Sequence, residues 1–541
     1  MFSNCWSLKS LNLNNFYTND VNTITHMFYN CYTLESLYIN NFNTTQINDM
    51  SYLFYNCESL TYLNLANFEP NNVFNMEYMF YNCKNLYSII LSNFITNNAI
   101  NMENMFAYCS SLESLDLSKF NTTSVNNFYG MFRYCTNIKS IELSNFIVQS
   151  AINMESMFEG CKSINYLNLD NFKTTTNLRN IKRMFYGCTS LSNLLIPNLD
   201  TNQVTDMSSM FYNCISLSEL DLTNFVTTQV NYMNSMFYNC ISLLNLNLIN
   251  LEINSIKDLS YMFYNCIKLP SLDLSNFGIN NAENMRSMFH NCISLTNLKI
   301  SNLITTNVYD MGYMFANCFS LIELDLSSFN TQNVNYMEYI FYNCSLLKKL
   351  NLNNFNTTNV KNMDSMFKSC ISIEFIDINN FETSNVNNMK SMFESCISLI
   401  SIKYDINKFD TSEVRNMEYM FSGCKELNQL NVSNFKTNLV TNMKYLFYSC
   451  RKLEIIDVKL FNTQKVIDMS YMFSGCRSVK ILDVSNFDTQ LVTNMKNMFE
   501  TCINVESLNL SNFDTSKVTN MEKMFSNCQS LEELDISNFR A

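Results

Sequence analysis

Cysteine recurs through this chain at a fixed interval, at Cys5, Cys31, Cys57, Cys83 and so on to Cys528, and all 21 cysteines belong to the one series. Eighteen of the twenty intervals are 26 residues; Cys161 to Cys188 is 27 and Cys396 to Cys424 is 28. A unit this short cannot bury an apolar face by itself. A constant period in this range therefore marks a solenoid, whose coils cover one another by stacking. The 541 residues read as one continuous array, 1–541, with no linker; seven glycines and three prolines leave little room for flexible connectors.

Counted from its own cysteine, each unit reads C-x-x-L-x-x-L-x-L-x-N-F-x-T-x-x-V-x-N-M-x-x-M-F-x-x. Phe stands three residues before every Cys (Phe2, Phe28, Phe289, Phe525) and eleven after it in seventeen units, thirteen after it in the 28-residue unit (Phe409), with Leu199, Leu251 and Leu303 in the other three. These two columns take 39 of the 43 phenylalanines, so the aromatic content is an internal spine.

Two periodicities share each unit. Val518, Met521, Met524, Phe525, Cys528 and Leu531 are spaced 3, 3, 1, 3, 3, which predicts a short helix, with Asn520, Asn416, Asp206 or Asp310 as its N-cap. Leu534-Asp535-Ile536 alternates in, out, in, which predicts a short strand. The expectation is an α/β solenoid of 21 coils, each one parallel strand and one short helix. Strands stacked at ~4.8 Å would form one sheet on the order of 95 Å long. Helices need roughly 8–10 Å between axes, so the stack is expected to curve with its sheet on the concave face.

The strings MSYMFSGCRSVKILDVSNFDTQLVTNM (Met469–Met495) and MEKMFSNCQSLEELDISNF (Met521–Phe539) resemble the 26-residue repeat of BspA-like leucine-rich-repeat surface proteins of bacteria and some unicellular eukaryotes. The resemblance covers essentially the whole chain. It implies a leucine-rich-repeat-like solenoid displayed at the cell surface or secreted, with adhesion to host proteins or other cells, and names no ligand.

One thiol per coil invites a disulfide or metal reading. Bridging needs Cα atoms within about 7 Å, and helix-borne cysteines on adjacent coils are expected farther apart. No C-x-x-C pair occurs, and His26 and His290 are the only histidines, so no metal and no cofactor is expected. The column, Cys31, Cys292 and Cys528 among it, reads as a buried small apolar residue.

Three polar columns follow. Seven residues after Cys, Asp fills eight coils (Asp116, Asp273, Asp535) and Asn seven (Asn12, Asn64, Asn351), a solvated sheet face whose amides are expected to bond along the stack. Ten residues after Cys, Asn recurs in 17 coils (Asn15, Asn276, Asn538) and is expected to satisfy turn backbone. Threonines such as Thr357 and Thr515 read as turn hydrogen-bonders.

Departures from the columns are the functional candidates. Tyr38, Tyr62 and Ile90 replace polar residues on the predicted strand face; Tyr166 with Leu195, and Phe375 alone, do the same elsewhere. Aromatic side chains in such places anchor partners. Arg179, Lys182 and Arg183 make a basic spot in the 27-residue coil, and the 28-residue coil inserts around Lys403–Lys408, where the strand is expected to bulge or shift. Tyr186, Tyr212, Tyr238 and Tyr264 form a stripe explained by packing between neighbouring helices.

Enzyme signatures are missing: neither histidine sits in a motif, and so few glycines allow no phosphate loop and no G-x-S-x-G. A net charge of −12 argues against nucleic acid, and no apolar run of about 20 residues could span a membrane. Both ends are uncapped repeats without a signal peptide, so a fragment of a longer secreted or anchored protein is expected, with end-to-end self-association as the alternative. The reading is a non-enzymatic cell-surface adhesion solenoid. Its partner is a protein or glycan ligand on a host or neighbouring cell, bound through the concave sheet. An intracellular structural or protein-interaction scaffold is the rival.

Overall fold

The computed structural model describes residues 1–173, 177–251, 255–277, 280–403 and 406–540. They form two compact units, Met1–Leu269 and Pro270–Ala541, each a stack of parallel coils. Strands sit one residue earlier than the alternation places them: where Leu534–Ile536 was expected, the strand is Glu533–Leu534. In the first unit β1 (Ser10–Asn12) pairs with β2 (Ser36–Tyr38), β3 (Tyr62–Asn64) with β4 (Ser88–Ile90), and β5 (Ser114–Asp116) with β6 (Ser140–Glu142). The series continues with β7 (Tyr166–Asn168) on β8 (Asn193–Leu195) and β9 (Glu219–Asp221) on β10 (Asn245–Asn247). In the second unit β11 (Ser271–Asp273) pairs with β12 (Asn297–Lys299), β13 (Glu323–Asp325) with β14 (Lys349–Asn351), β15 (Phe375–Asp377) with β16 (Ser401–Lys403), and β17 (Ser507–Leu508) with β18 (Glu533–Leu534).

Every pairing is parallel and in register, but the strands join two by two. The uninterrupted sheet expected from stacking is thus a row of two-stranded ribbons. In the three-residue strands the middle residue turns inward; Leu63, Leu115 and Leu272 are buried while their neighbours face out.

The expected helix is absent, and what replaces it accounts for the misreading. Three-residue turns overlap along its length: the amide of Met79 donates to Met76 O (3.3 Å), that of Tyr81 to Tyr78 O (3.2 Å) and that of Cys83 to Phe80 O (3.2 Å). The intervening amides leave the coil altogether. Met76, Tyr78, Phe80 and Asn82 donate to the carbonyls of Asn101, Glu103, Met105 and Ala107 of the next coil, at 2.8–3.0 Å. Tyr78 (φ 54°) and Asn82 (φ 58°) hold positive φ at the third residue of their turns, as type II turns do, and the same two positions repeat in coil after coil. Apolar residues three apart share a face in a run of such turns as they do on a helix, so spacing cannot separate the two. Positive φ can, because it reverses alternate peptide planes and turns their amides toward the neighbouring coil.

The predicted caps keep their contact and change their product. Asp206, Asn416 and Asn520 accept through Oδ1 from the amides of Ser208 (2.8 Å), Glu418 (2.9 Å) and Glu522 (3.0 Å), opening turns instead of helices. The same Asx residues form single parallel bridges from coil to coil. The expected bend rested on a wide helical side. Within each unit the turn side instead carries backbone bonds at nearly every junction, while strands pair at alternate ones, so the turns are the more tightly tied side of the coil.

Inside, identical residues stack. Phe28, Phe54 and Phe80 lie ring on ring, 5.5 Å apart, and the second phenylalanine column runs from Phe42–Phe68 (6.2 Å) to Phe513–Phe539 (6.4 Å). Leu199, Leu251 and Leu303 fill that column where Phe is missing.

Thiols donate across the coil boundary, as Cys57 Sγ does to Phe28 O and Cys83 Sγ to Phe54 O, both 3.2 Å, onto carbonyls that also accept their own coil's Cys amide. The column is therefore more than an apolar filler, and it lies on directly bonded coils where the sequence suggested wider spacing. All 21 cysteines are thiols; Cys5 and Cys528, in the terminal coils, are half-buried and the rest buried. Burial pushes the Cys135, Cys240 and Cys344 thiols up to about 12.

Candidate binding surface on the strand face

The strand face presents two columns of side chains per coil, five and seven residues after the cysteine. The Asx side chains of the second column bond locally. Asp116 accepts from the Ser118 amide (2.9 Å), Asp273 from Ser275 (3.0 Å), Asn12 from Asn14 (3.0 Å) and Asp535 from Ser537 (2.9 Å), each closing a two-residue Asx turn. The expected amide ladder along the stack is thus replaced by turns within each coil. Hydrogen bonds from Ser275 and Lys299 hold Asp273 down to about 2, and bonds from Ser118 and Ser327 lower Asp116 and Asp325. Further round the coil, Asn538 Nδ2 donates to Ser511 O of the preceding coil (2.7 Å). Thr122 does more: its hydroxyl donates to Ile147 O (2.7 Å) and accepts from Ile147 N (2.8 Å), standing in for a strand rung.

All six singled-out residues are exposed, and register decides which can act together. Tyr38 and Ile90 occupy the same column with Asn64 between them, whereas Tyr62 lies in the other column, opposite Ser88. Tyr166 faces Asn193 and Leu195 faces Asn168, so that pair is diagonal across β7 and β8.

Phe375 has the most developed surroundings. It lines a groove of about 430 Å³ that crosses the unbonded junction between β14 and β15, together with Asp325, Lys349, Asn351, Asp377 and Lys403. Lys403 places its ammonium 5.5 Å from the Phe375 ring, and Lys349 pairs with Glu323 at the other rim. Neither lysine was a candidate from sequence; both stand where Asx or Ser is usual, which is the signal that could have found them.

The basic spot of the 27-residue coil is internally paired. Glu159, fully buried, accepts from Arg183 (2.8 Å) and pairs with Arg133 (3.2 Å); Lys182 faces Asp206 (3.6 Å) and Arg179 donates to Gln203 (3.0 Å). The Tyr186–Tyr264 stripe stacks at 4.4–4.5 Å along the turns. His26 stacks on Tyr52 (4.7 Å), and burial pushes His290 down to about 4. Among the described residues no cluster of His, Cys, Asp and Glu has the makings of a metal site, and no helix is long and apolar enough to cross a membrane.

The insertion expected near Lys403–Lys408 appears as a 3-10 turn, Ile406–Lys408, after β16; Tyr404 and Asp405 lie outside the described residues. In the three coils that follow no strand forms; single bridges join Ile455 to Ile481 and Ile481 to Ser507, and Ile455 and Ile481 are 74% and 79% exposed. Sequence reasoning passed over both, although each puts an aliphatic residue in an outward column.

No curated protein matches the chain. Among solved structures it is similar to a leucine-rich repeat protein from Bacteroides ovatus (16% identity, 88% of this chain and 87% of that one, TM-score 0.28). It is also similar to a leucine rich cell surface protein from Faecalibacterium prausnitzii A2-165 (16%, 71% and 83%, 0.31) and to a leucine-rich-repeat protein of Leptospira interrogans (11%, 73% and 88%, 0.21). One family matches the chain in overlapping stretches, 1–90, 49–172, 160–277, 257–376, 366–482 and 452–541. The chain is a member of that family, described as Mycoplasma protein of unknown function, DUF285.

Proposed function

We propose that this protein is a non-enzymatic binding solenoid displayed at a cell surface, which engages a partner protein through the strand face. The observation that carries the reading is the groove around Phe375, where an exposed aromatic ring sits beside Lys403 in a lining of both charges over an unbonded junction. Interfaces concentrate their energy in such aromatic anchors, and flanking charges of both signs set register and exclude wrong partners. Tyr38, Tyr62, Ile90, Tyr166 and Leu195 are secondary contacts along the same face. Surface display draws its support from the resemblance of the repeat to BspA-like proteins.

Two experiments test the reading. Protease added to intact cells should remove the tagged protein; full protection until lysis would sink surface display and favour an internal scaffold. The purified chain should then capture a partner from surface-labelled cells, with capture weakened by Phe375→Ser and, less, by Tyr38→Ser with Tyr62→Ser. Capture that survives all three substitutions would place the site elsewhere, and loss of capture after glycosidase treatment of the cells would make the ligand a glycan.

A further inference from the structure

Elsewhere every second strand junction is bonded; among the described residues that alternation fails in one region, immediately after the 28-residue coil, where successive junctions lack strand pairing. The coil of Cys424 still bonds to its predecessor through Glu426 (to Ile397 O, 3.2 Å) and Asn428 (to Ile400 O, 3.2 Å). Beyond that point the coils part. Among the described residues no backbone hydrogen bond joins Gln429–Asn431 to β16, and none joins them to Glu454–Asp457 of the following coil. The separation opens a groove of about 840 Å³, roughly twice the volume of the one at Phe375. Ile402, Ile406, Leu430 and Ile455 line it, and among the described residues its charged lining is Glu454 and Asp457.

Three features meet here. Backbone groups of an extended segment lack the ladder partners that other coils supply, and such edges template the addition of another chain. Ile455, Ile481 and Leu460 are among the most exposed aliphatic side chains of the molecule and fall in two consecutive coils beside the groove. Leu460 also stands in the asparagine column, so it cannot make the donation to the preceding coil that Asn486 makes to Lys459 O (2.9 Å). The charge of the lining is wholly acidic, in a chain of net charge −12.

We propose that the opened ladder beside Ile455 and Ile481 is a second docking site, taking an extended, apolar peptide segment of a partner protein that carries lysine or arginine. The peptide backbone would bond to the unclaimed groups of Gln429–Asn431, its apolar side chains would cover Ile455 and Ile481, and its cations would face Glu454 and Asp457.

The test is fluorescence anisotropy of the whole chain with a labelled synthetic peptide, Lys-Thr-Val-Thr-Val-Thr-Val-Thr-Lys, and with a version carrying Pro at the central Val. Saturable binding at about 100 μM or tighter is expected, weakened about tenfold or more by Pro, because Pro removes a backbone donor and a β-competent residue. The double variant Ile455→Asp, Ile481→Asp should lose binding by a similar factor with its melting temperature unchanged, since both side chains already face solvent. Phe375→Ser should bind the peptide as the parent does, which separates this site from the one at Phe375. No saturable binding, equal binding of the Pro peptide, or equal loss in Phe375→Ser would each overturn the proposal. So would a parent chain that dimerises in sedimentation while the double variant stays monomeric, because a second copy would then be the occupant.

Discussion

Each coil is held by residues whose identity answers a particular backbone demand. Thr122 returns both backbone bonds of Ile147 through one hydroxyl. Thr122→Val keeps the shape and strands a buried donor and acceptor, so a loss of about 1–3 kcal/mol is expected in denaturant melts. Glycines at positive φ offer a paired comparison. A Cβ on Gly187 (φ 70°) would meet nothing nearer than Gly160 at 3.9 Å, whereas one on Gly160 (φ 73°) would lie 2.5 Å from the Tyr134 ring. Gly187→Ala should cost about 1–2 kcal/mol from backbone conformation alone, and Gly160→Ala clearly more; thermal melts of the two variants check the order. The buried cysteines should be inert while folded, because they are shut off from solvent and thiols such as Cys135 are raised by burial and already donate to a carbonyl. A thiol reagent should label Cys5 and Cys528 first and the remainder only in denaturant; rapid labelling throughout the native chain would contradict the packing.

Among elements, the run of turns is the one the sequence concealed. Val518 to Leu531 carries the apolar spacing of a helix face, yet Lys523 (φ 54°) and Asn527 (φ 60°) sit in the left-handed region where a helix cannot continue. Asn at the residue before Cys in many coils was a legible hint, since Asn tolerates that region; Tyr and Ser at the other position gave none. Far-UV circular dichroism should accordingly lack the helical minima that a coil of strand plus helix would produce. The Asx turns behind the strands carry a pH dependence. Asp116, Asp273, Asp325 and Asp483 are lowered in the folded chain by hydrogen bonds to their carboxylates. Their contribution to stability is thus complete above the ordinary carboxylate range near 4 and is lost as pH falls through the folded values, toward about 2 for Asp273. Melting temperature should hold level above pH ~5 and drop between about 4 and 2; Asp273→Asn should make that drop shallower.

At the scale of the molecule, the proposed function rests on where the repetition is broken. A stack whose coils touch only their neighbours tolerates a local exception without collapse, and both candidate sites are such exceptions: Phe375 with Lys403 over an unbonded strand junction, and the opened ladder beside Ile455. The period, the buried Phe and Cys columns and the short parallel strands of a solenoid were all readable from the chain, because repetition amplifies each weak local signal by the number of coils. The outward aromatic candidates were readable too, since alternation assigns their side.

What only tertiary structure decided lies between coils. Three-residue apolar spacing is degenerate between helix and turn, and the choice follows from whether alternate amides bond within a coil or to the next one. Two-by-two strand pairing and the groove after the 28-residue coil follow from hydrogen bonds between residues at least 24 positions apart or from their absence. A single coil's sequence encodes the residues that make those bonds but not the register in which its neighbours present their partners.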